Sequence, residues 1–145
     1  MTDLLSKAII LAATAHTGQT DKAGKPYLQH ICTVIAGVDT EEEMVTAALH
    51  DIVEDTEATH EQIRKEFGDN IARRVACLTH KKGEPYDDYI GRIMESKVAM
   101  KVKLSDLRHN MDLSRLDREP TAKDLQRIQK YTKARDRLTM ALLKD

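Results

Sequence analysis

The chain has 145 residues, with 23 Lys and Arg against 24 Asp and Glu, a net charge of −1, 41% apolar residues and no Trp. That is the size of one domain, residues 1–145, able to bury a core without disulfides or a structural metal. The balanced charge argues against a general nucleic-acid or membrane-surface binder, which needs a basic excess. The start, MTDLLSKAIILAATAH, is not basic and its apolar stretch is too short to cross a bilayer, so a cytoplasmic protein is expected. Cys32 and Cys77 lack metal-knuckle spacing and read as small buried apolar residues of a reducing compartment.

Gly and Pro are sparse, and the segments between them carry helical spacing, which predicts an all-α bundle of about seven to eight helices. A first helix is expected from about Thr2 to Thr17, with Gly18 ending it. The polar loop GQTDKAGK follows, and Pro26 opens a second helix, YLQHICTVIAG, that Gly37 ends. Thr40 with Glu43 forms a capping box for a third helix running through MVTAALHDIVED. Thr59 with Gln62 starts a short fourth helix ending at Gly68, and Asp69 is expected to cap a fifth, NIARRVACLT. After the loop HKKGEP come a sixth helix, YDDYIGRIMES, and a seventh from about Lys97 to Met111. Thr121, after Pro120, caps a long charged eighth helix, expected to pack on the bundle or to serve a dimer.

His50 and Asp51 fall late in an otherwise apolar helix, where an unpaired charge is costly. On a continuous helix, Glu54 and Asp55 share their side. Three carboxylates and an imidazole on one face repel unless a cation lies among them. His30 in LQHICTVIA and Asp106 in VKLSDLRHNM interrupt apolar helices in the same way. Together the four make a nitrogen and oxygen ligand set without thiolate, suited to Mn²⁺, Fe²⁺, Co²⁺, Ni²⁺ or Zn²⁺. A divalent ion there activates water for hydrolysis, with Glu54 and Asp55 placed to orient the water or take its proton.

Singly, each residue has a plainer role. A lone buried His is ordinarily hydrogen-bonded core, and Lys103 lies three residues before Asp106 as an ion-pair partner. The order His, His-Asp, Asp on successive helices is what favours a metal. His80 and His109 stand outside that order and read as structural or surface residues; His16 suits either a helix cap or the pocket. Tyr86 and Tyr89 read chiefly as packing, given so few aromatics. Lys22 and Lys25, just before His30, are candidate phosphate contacts, ahead of Lys81 and Lys82.

This pattern resembles the HD-domain metal-dependent phosphohydrolases. The segments HTGQTDKAGKPYLQH, AALHDIVEDT and VKLSDLRHNM narrow the resemblance to the hydrolase domain of the Rel/SpoT alarmone enzymes and the small stand-alone alarmone hydrolases. The resemblance implies a single HD-type helical domain that removes the 3′-pyrophosphate from (p)ppGpp, most commonly with manganese. It implies that His30, His50, Asp51 and Asp106 hold the metal and that Glu54 and Asp55 handle the water. By the same resemblance Asn110 contacts the sugar, and Gly24 and Tyr27 lie near the nucleotide. Synthesis of the alarmone is not expected of this segment.

Three departures stand out. Asp21 occupies the place of a family Arg that meets the base, with the opposite charge. Leu107 and Arg108 are exchanged relative to the usual Arg-Leu, which moves a guanidinium by about 100° around the helix. Ile31 replaces the Pro that usually follows the His. The chemistry survives these changes, but the base is left open. Two alternatives therefore stand beside alarmone hydrolysis: the same chemistry on another nucleotide or phosphoester, or a sensor without turnover, against which intact Glu54 and Asp55 argue. The partner in each case is a small-molecule nucleotide; a homo-oligomer is compatible with the charged last helix.

Overall fold

The computed structural model describes residues 3–144, so Thr2, the expected start of the first helix, lies outside the described residues. The helices in chain order are α1 (Leu4–Ala15), α2 (Tyr27–Ala36), α3 (Glu41–Leu49), α4 (Ile52–Asp55), α5 (His60–Phe67), α6 (Asp69–Leu78), α7 (Tyr86–Ile93), α8 (Lys97–Asn110) and α9 (Ala122–Leu143), with a 3₁₀ turn at Leu113–Arg115. No strand occurs among the described residues beyond an isolated bridge between Thr20 and Pro26. The all-α expectation is met, and no described helix is long and apolar enough to cross a membrane.

Capping chemistry sets most boundaries. Asp3 accepts from the Ser6 N–H and so starts α1, while Thr40 and Glu43 form the expected capping box at α3. Thr121 with Asp124 builds a second box at α9. At α6 the structure differs from expectation: Gly68, with φ of +92°, is the cap residue, and Asp69 is the first helical residue with no side-chain cap bond. The anionic Asp69 still complements the helix N-terminus from there.

The larger correction concerns the expected third helix, which breaks at His50 and Asp51. His50 ends α3, and Asp51 has φ −108° and ψ 1°, outside the helical well. Leu49 and Ile52, both fully buried, clamp the break from either side. Each such side chain contributes roughly 1.5–3 kcal/mol of burial, enough to hold a backbone turned away from its ideal path.

Helices α2, α3 and α8 pack against one another and form the floor of the site. A Cβ on Gly37 would overlap Ser105, so glycine is what lets the end of α2 approach α8, where Ser105 Oγ donates to the Val34 carbonyl at 2.9 Å. One core cluster gathers Val34, Leu78, Ile90, Leu107 and Leu138; a second gathers Ala8, Leu49, Ile52, Ile63 and Val75. Ile35 packs against both. Cys32 corrects another expectation: it is exposed, and Cys77 is half-buried, because the inward stripe of α2 runs through His30, Ile31 and Val34 and leaves Cys32 off it.

Candidate metal centre and active site

The fold brings four residues together. His30 comes from α2, His50 from the end of α3, Asp51 from the break and Asp106 from α8; one donor atom from each lies within 4.8 Å of the others. All but Asp51 are buried.

The protonation of His50 tests whether a cation fits. Its Nδ1 donates to the Ala47 carbonyl at 2.7 Å, so in the neutral ring Nε2 carries a lone pair. That Nε2 is buried, has no well-formed hydrogen bond, and faces Asp51 Oδ2 at 2.9 Å and Asp106 Oδ1 at 3.4 Å. A lone pair pressed against two carboxylates asks for positive charge. Burial alone would lower the His50 pKa, yet Asp51 and Asp106 outweigh it and hold it well above the ordinary value. A divalent ion satisfies the same demand, and the donor set of two imidazoles and two carboxylates suits it.

Neighbouring groups orient these four side chains. The Tyr27 hydroxyl donates to Asp51 Oδ2, and burial, with that carboxylate beside it, keeps the phenol protonated. Lys103 Nζ donates to Asp106 Oδ2 at 2.9 Å, and Asn110 Nδ2 donates to Asp106 Oδ1 at 3.0 Å. Burial would raise Asp106, but the Lys103 ammonium and the two imidazoles hold it well below the usual carboxylate range. The Lys103 ion pair is thus compatible with the metal-ligand role expected of Asp106, since the two oxygens face different partners. His30 Nε2 lies 2.8 Å from Asp106 Oδ1, and its Nδ1 lies 2.7 Å from Nδ1 of His109, whose ring stacks on it at 5.0 Å. His109 is therefore structural, one of its two expected roles: half-buried, it is the partner of the His30 ring. Its spacing three residues after Asp106 on α8 was the available signal.

A cavity of about 510 Å³ opens over the cluster. Glu54 and Asp55 line it despite the helix break, although neither joins the four-donor group. Glu54 Oε1 accepts from the His80 backbone N–H at 2.9 Å, which ties it to the loop after α6. Burial and the charges of Asp51 and Glu54 push Asp55 up to about 6. Tyr27, Lys22 and Asn110 also line the cavity. Gly24 and Lys25 do not: Gly24, with φ of +77°, closes the turn in which its N–H donates to the Asp21 carbonyl, and Lys25 faces a separate groove beside Cys32. Lys81 and Lys82 are likewise absent from the lining, whereas His80, Tyr86, Tyr89 and Lys103 are present. His16 is buried, with Nδ1 2.9 Å from Gln19 Oε1 and its ring 4.8 Å from Tyr27, so it supports that tyrosine from behind.

Sequence reasoning missed the far wall. Helix α9 packs on α8 and contributes Asp124, Arg127, Ile128, Lys130 and Tyr131 to the lining. Arg127, Lys130 and Tyr131 sit at i, i+3 and i+4, a one-face spacing readable in the sequence but masked by the many other charges of α9. Burial, then the charges of Arg127 and Lys130, lower the pKa of Lys22. Lys22, Arg127 and Lys130 therefore lie near one another in the lining, with Asp124 paired to Arg127 among them.

The family model described as HD domain matches residues 8–85. The chain belongs to the HD-domain family. Within it, the HD-domain chain is 34% identical over 144 residues to guanosine-3′,5′-bis(diphosphate) 3′-pyrophosphohydrolase MESH1 of Danio rerio, covering 90% of this chain and 79% of the relative. It is 32% identical over 127 residues to a GTP pyrophosphokinase of Myxococcus xanthus and 30% identical over 122 residues to the bifunctional (p)ppGpp synthase/hydrolase SpoT of Escherichia coli. The HD-domain chain spans only 17% of the length of each of those two bacterial proteins. A solved structure, described as a metazoan ortholog of SpoT that hydrolyzes ppGpp, superposes with a TM-score of 0.75 at 26% identity, covering 95% of this chain and 86% of the other.

Proposed function

We propose that residues 1–145 form a single (p)ppGpp 3′-pyrophosphohydrolase domain that uses a divalent metal, most commonly Mn²⁺, and acts in the cytoplasm. The observation that carries this reading is the four-donor cluster in which the buried Nε2 of His50 faces two carboxylates without a hydrogen bond of its own. The names of the Danio rerio and Escherichia coli relatives supply the substrate.

His30, His50, Asp51 and Asp106 hold the ion in this reading. When bound, it lowers the pKa of water and offsets phosphate charge. Glu54 and Asp55 orient the attacking water and accept its proton; a carboxyl raised by burial, as Asp55 is, binds a proton more readily than a solvated one. A cation among the ligands opposes part of that rise. The water oxygen bonds to the phosphorus next to the 3′ oxygen, the bond from that phosphorus to the 3′ oxygen breaks, and the 3′ oxygen leaves as a hydroxyl after taking up a proton. The products are GDP or GTP and pyrophosphate. In this reading Asn110, anchored to Asp106, meets the sugar, and Tyr27, which lines the same cavity, lies near the nucleotide.

The cavity lining suits a nucleotide with two polyphosphate arms. One arm lies over the metal ligands, and the other meets Lys22 and Lys130, since Arg127 is already paired with Asp124. Gly24 and Lys25 then act through the turn that presents Lys22 rather than by touching substrate. The test is release of pyrophosphate from ppGpp by the Mn²⁺-loaded protein, with loss of release when His50 and Asp51 are both changed to Ala.

A further inference from the structure

Asp21 and Arg115 form an ion pair within the cavity wall, far apart in sequence, with Arg115 Nη1 donating to Asp21 Oδ2 at 2.8 Å. The other oxygen of Asp21 accepts from the Ala23 and Lys25 backbone N–H groups at 2.9 and 3.0 Å. The Asp21 side chain is only 8% exposed and both its oxygens are engaged, so it does not offer a free acceptor to a ligand. Arg115 is held at a second point, where Nε donates to the His109 carbonyl at 3.2 Å. Its guanidinium is thereby set rigidly, with its charge already balanced, and Leu113 and Leu116 line the cavity on either side of it in the chain.

A charge-compensated, flat guanidinium in a cavity wall that also carries Leu113 and Leu116 is a poor phosphate site and a good platform for a flat aromatic ring. The uncompensated cations for phosphate are Lys22 and Lys130, which belong to the cavity wall beside α9. We infer that Arg115, positioned by Asp21, is the residue that binds the nucleobase, a role that rests on the nucleotide-hydrolase reading above. Asp21 is then a positioning residue, and specificity in this chain is supplied by the turn after α8 rather than by the loop before α2.

The test uses the Mn²⁺-loaded full chain and two probes, GDP and inorganic pyrophosphate, with affinities read by calorimetry. Arg115→Ala is expected to weaken GDP about tenfold, between the exposed and the desolvated limits of a cation–π contact, and to leave pyrophosphate unchanged. Arg115→Lys keeps the charge without the flat face and should lose most of the same GDP affinity. Asp21→Asn should lose less, in the same direction, and the double variant Asp21→Asn with Arg115→Ala should be no worse than Arg115→Ala alone. Unchanged GDP affinity in Arg115→Ala, an equal fall for pyrophosphate, or no GDP binding by the unsubstituted chain would overturn the inference; circular dichroism of Arg115→Lys separates these from misfolding. GDP binding that depends on Arg115 in a chain that leaves ppGpp intact would support this inference while overturning the proposed reaction.

Discussion

His109 carries a sharp prediction because nothing but geometry assigns it a role. If His30 offers Nε2 to a metal, its proton must sit on Nδ1, and that proton has one acceptor in reach, Nδ1 of His109 at 2.7 Å. Burial first, then the nearby Arg115 and His30, lower the pKa of His109 and keep it a neutral acceptor. Changing His109 to Ala removes that acceptor and the ring stacked at 5.0 Å. Losing such a partner of a ligand histidine weakens metal affinity about 10- to 100-fold, roughly 1.4–2.8 kcal/mol. His109 is half-buried, so water replaces part of the hydrogen bond, and the expected loss lies near the tenfold end. Titration of Mn²⁺ into chelator-stripped protein measures it. His80→Ala is the control: that ring stacks on Tyr89 and its backbone N–H, which holds Glu54, is retained. An unchanged dissociation constant for His109→Ala, or an equal fall in affinity for His80→Ala, would show that His109 does not set the His30 ring.

Further expectations follow from other contacts. Asp55→Asn should lower kcat by about 10²- to 10⁴-fold while Mn²⁺ affinity stays within a few-fold, checked by steady-state kinetics beside calorimetry. Leu138→Ala, at a fully buried position of α9, should cost about 2–5 kcal/mol in urea unfolding; a value near zero would mean that α9 is not integral to the fold. Hydrogen bonds from Arg92 Nε and Nη2, at 2.6 and 2.7 Å, hold the Glu84 carboxyl down to about 2. Because that value lies below its unfolded one of about 4.3, the pair stabilises the fold above about pH 4.3 and loses its effect as pH falls toward 2. The melting temperature of Glu84→Gln should therefore fall below that of the unsubstituted chain at pH 7, with the gap closing by about pH 2; a gap independent of pH would contradict the assignment.

The helices were legible because core positions repeat every three to four residues and caps such as Thr40 with Glu43 and Thr121 with Asp124 are local in sequence. The break at His50 and Asp51 was not, since the apolar repeat runs unbroken from Met44 to Val53; tertiary burial of Leu49 and Ile52 decides it. The four donor residues were legible from their order, and the structure does bring them together. Asp21 looked like a charge reversal in the pocket. Its meaning depended on Arg115, 94 residues away, and no local pattern links the two. The α9 wall was hidden for a similar reason: a helix rich in charge reads as a solvated face until its packing on α8 shows which charges turn inward.

Pyrophosphate release from ppGpp by the Mn²⁺-loaded chain, followed beside the variant with His50 and Asp51 both changed to Ala, tests the central claim most directly. GDP and pyrophosphate are expected in equal amounts from the first protein and neither from the second. Intact ppGpp in the presence of protein with Mn²⁺ bound at full occupancy would contradict that claim.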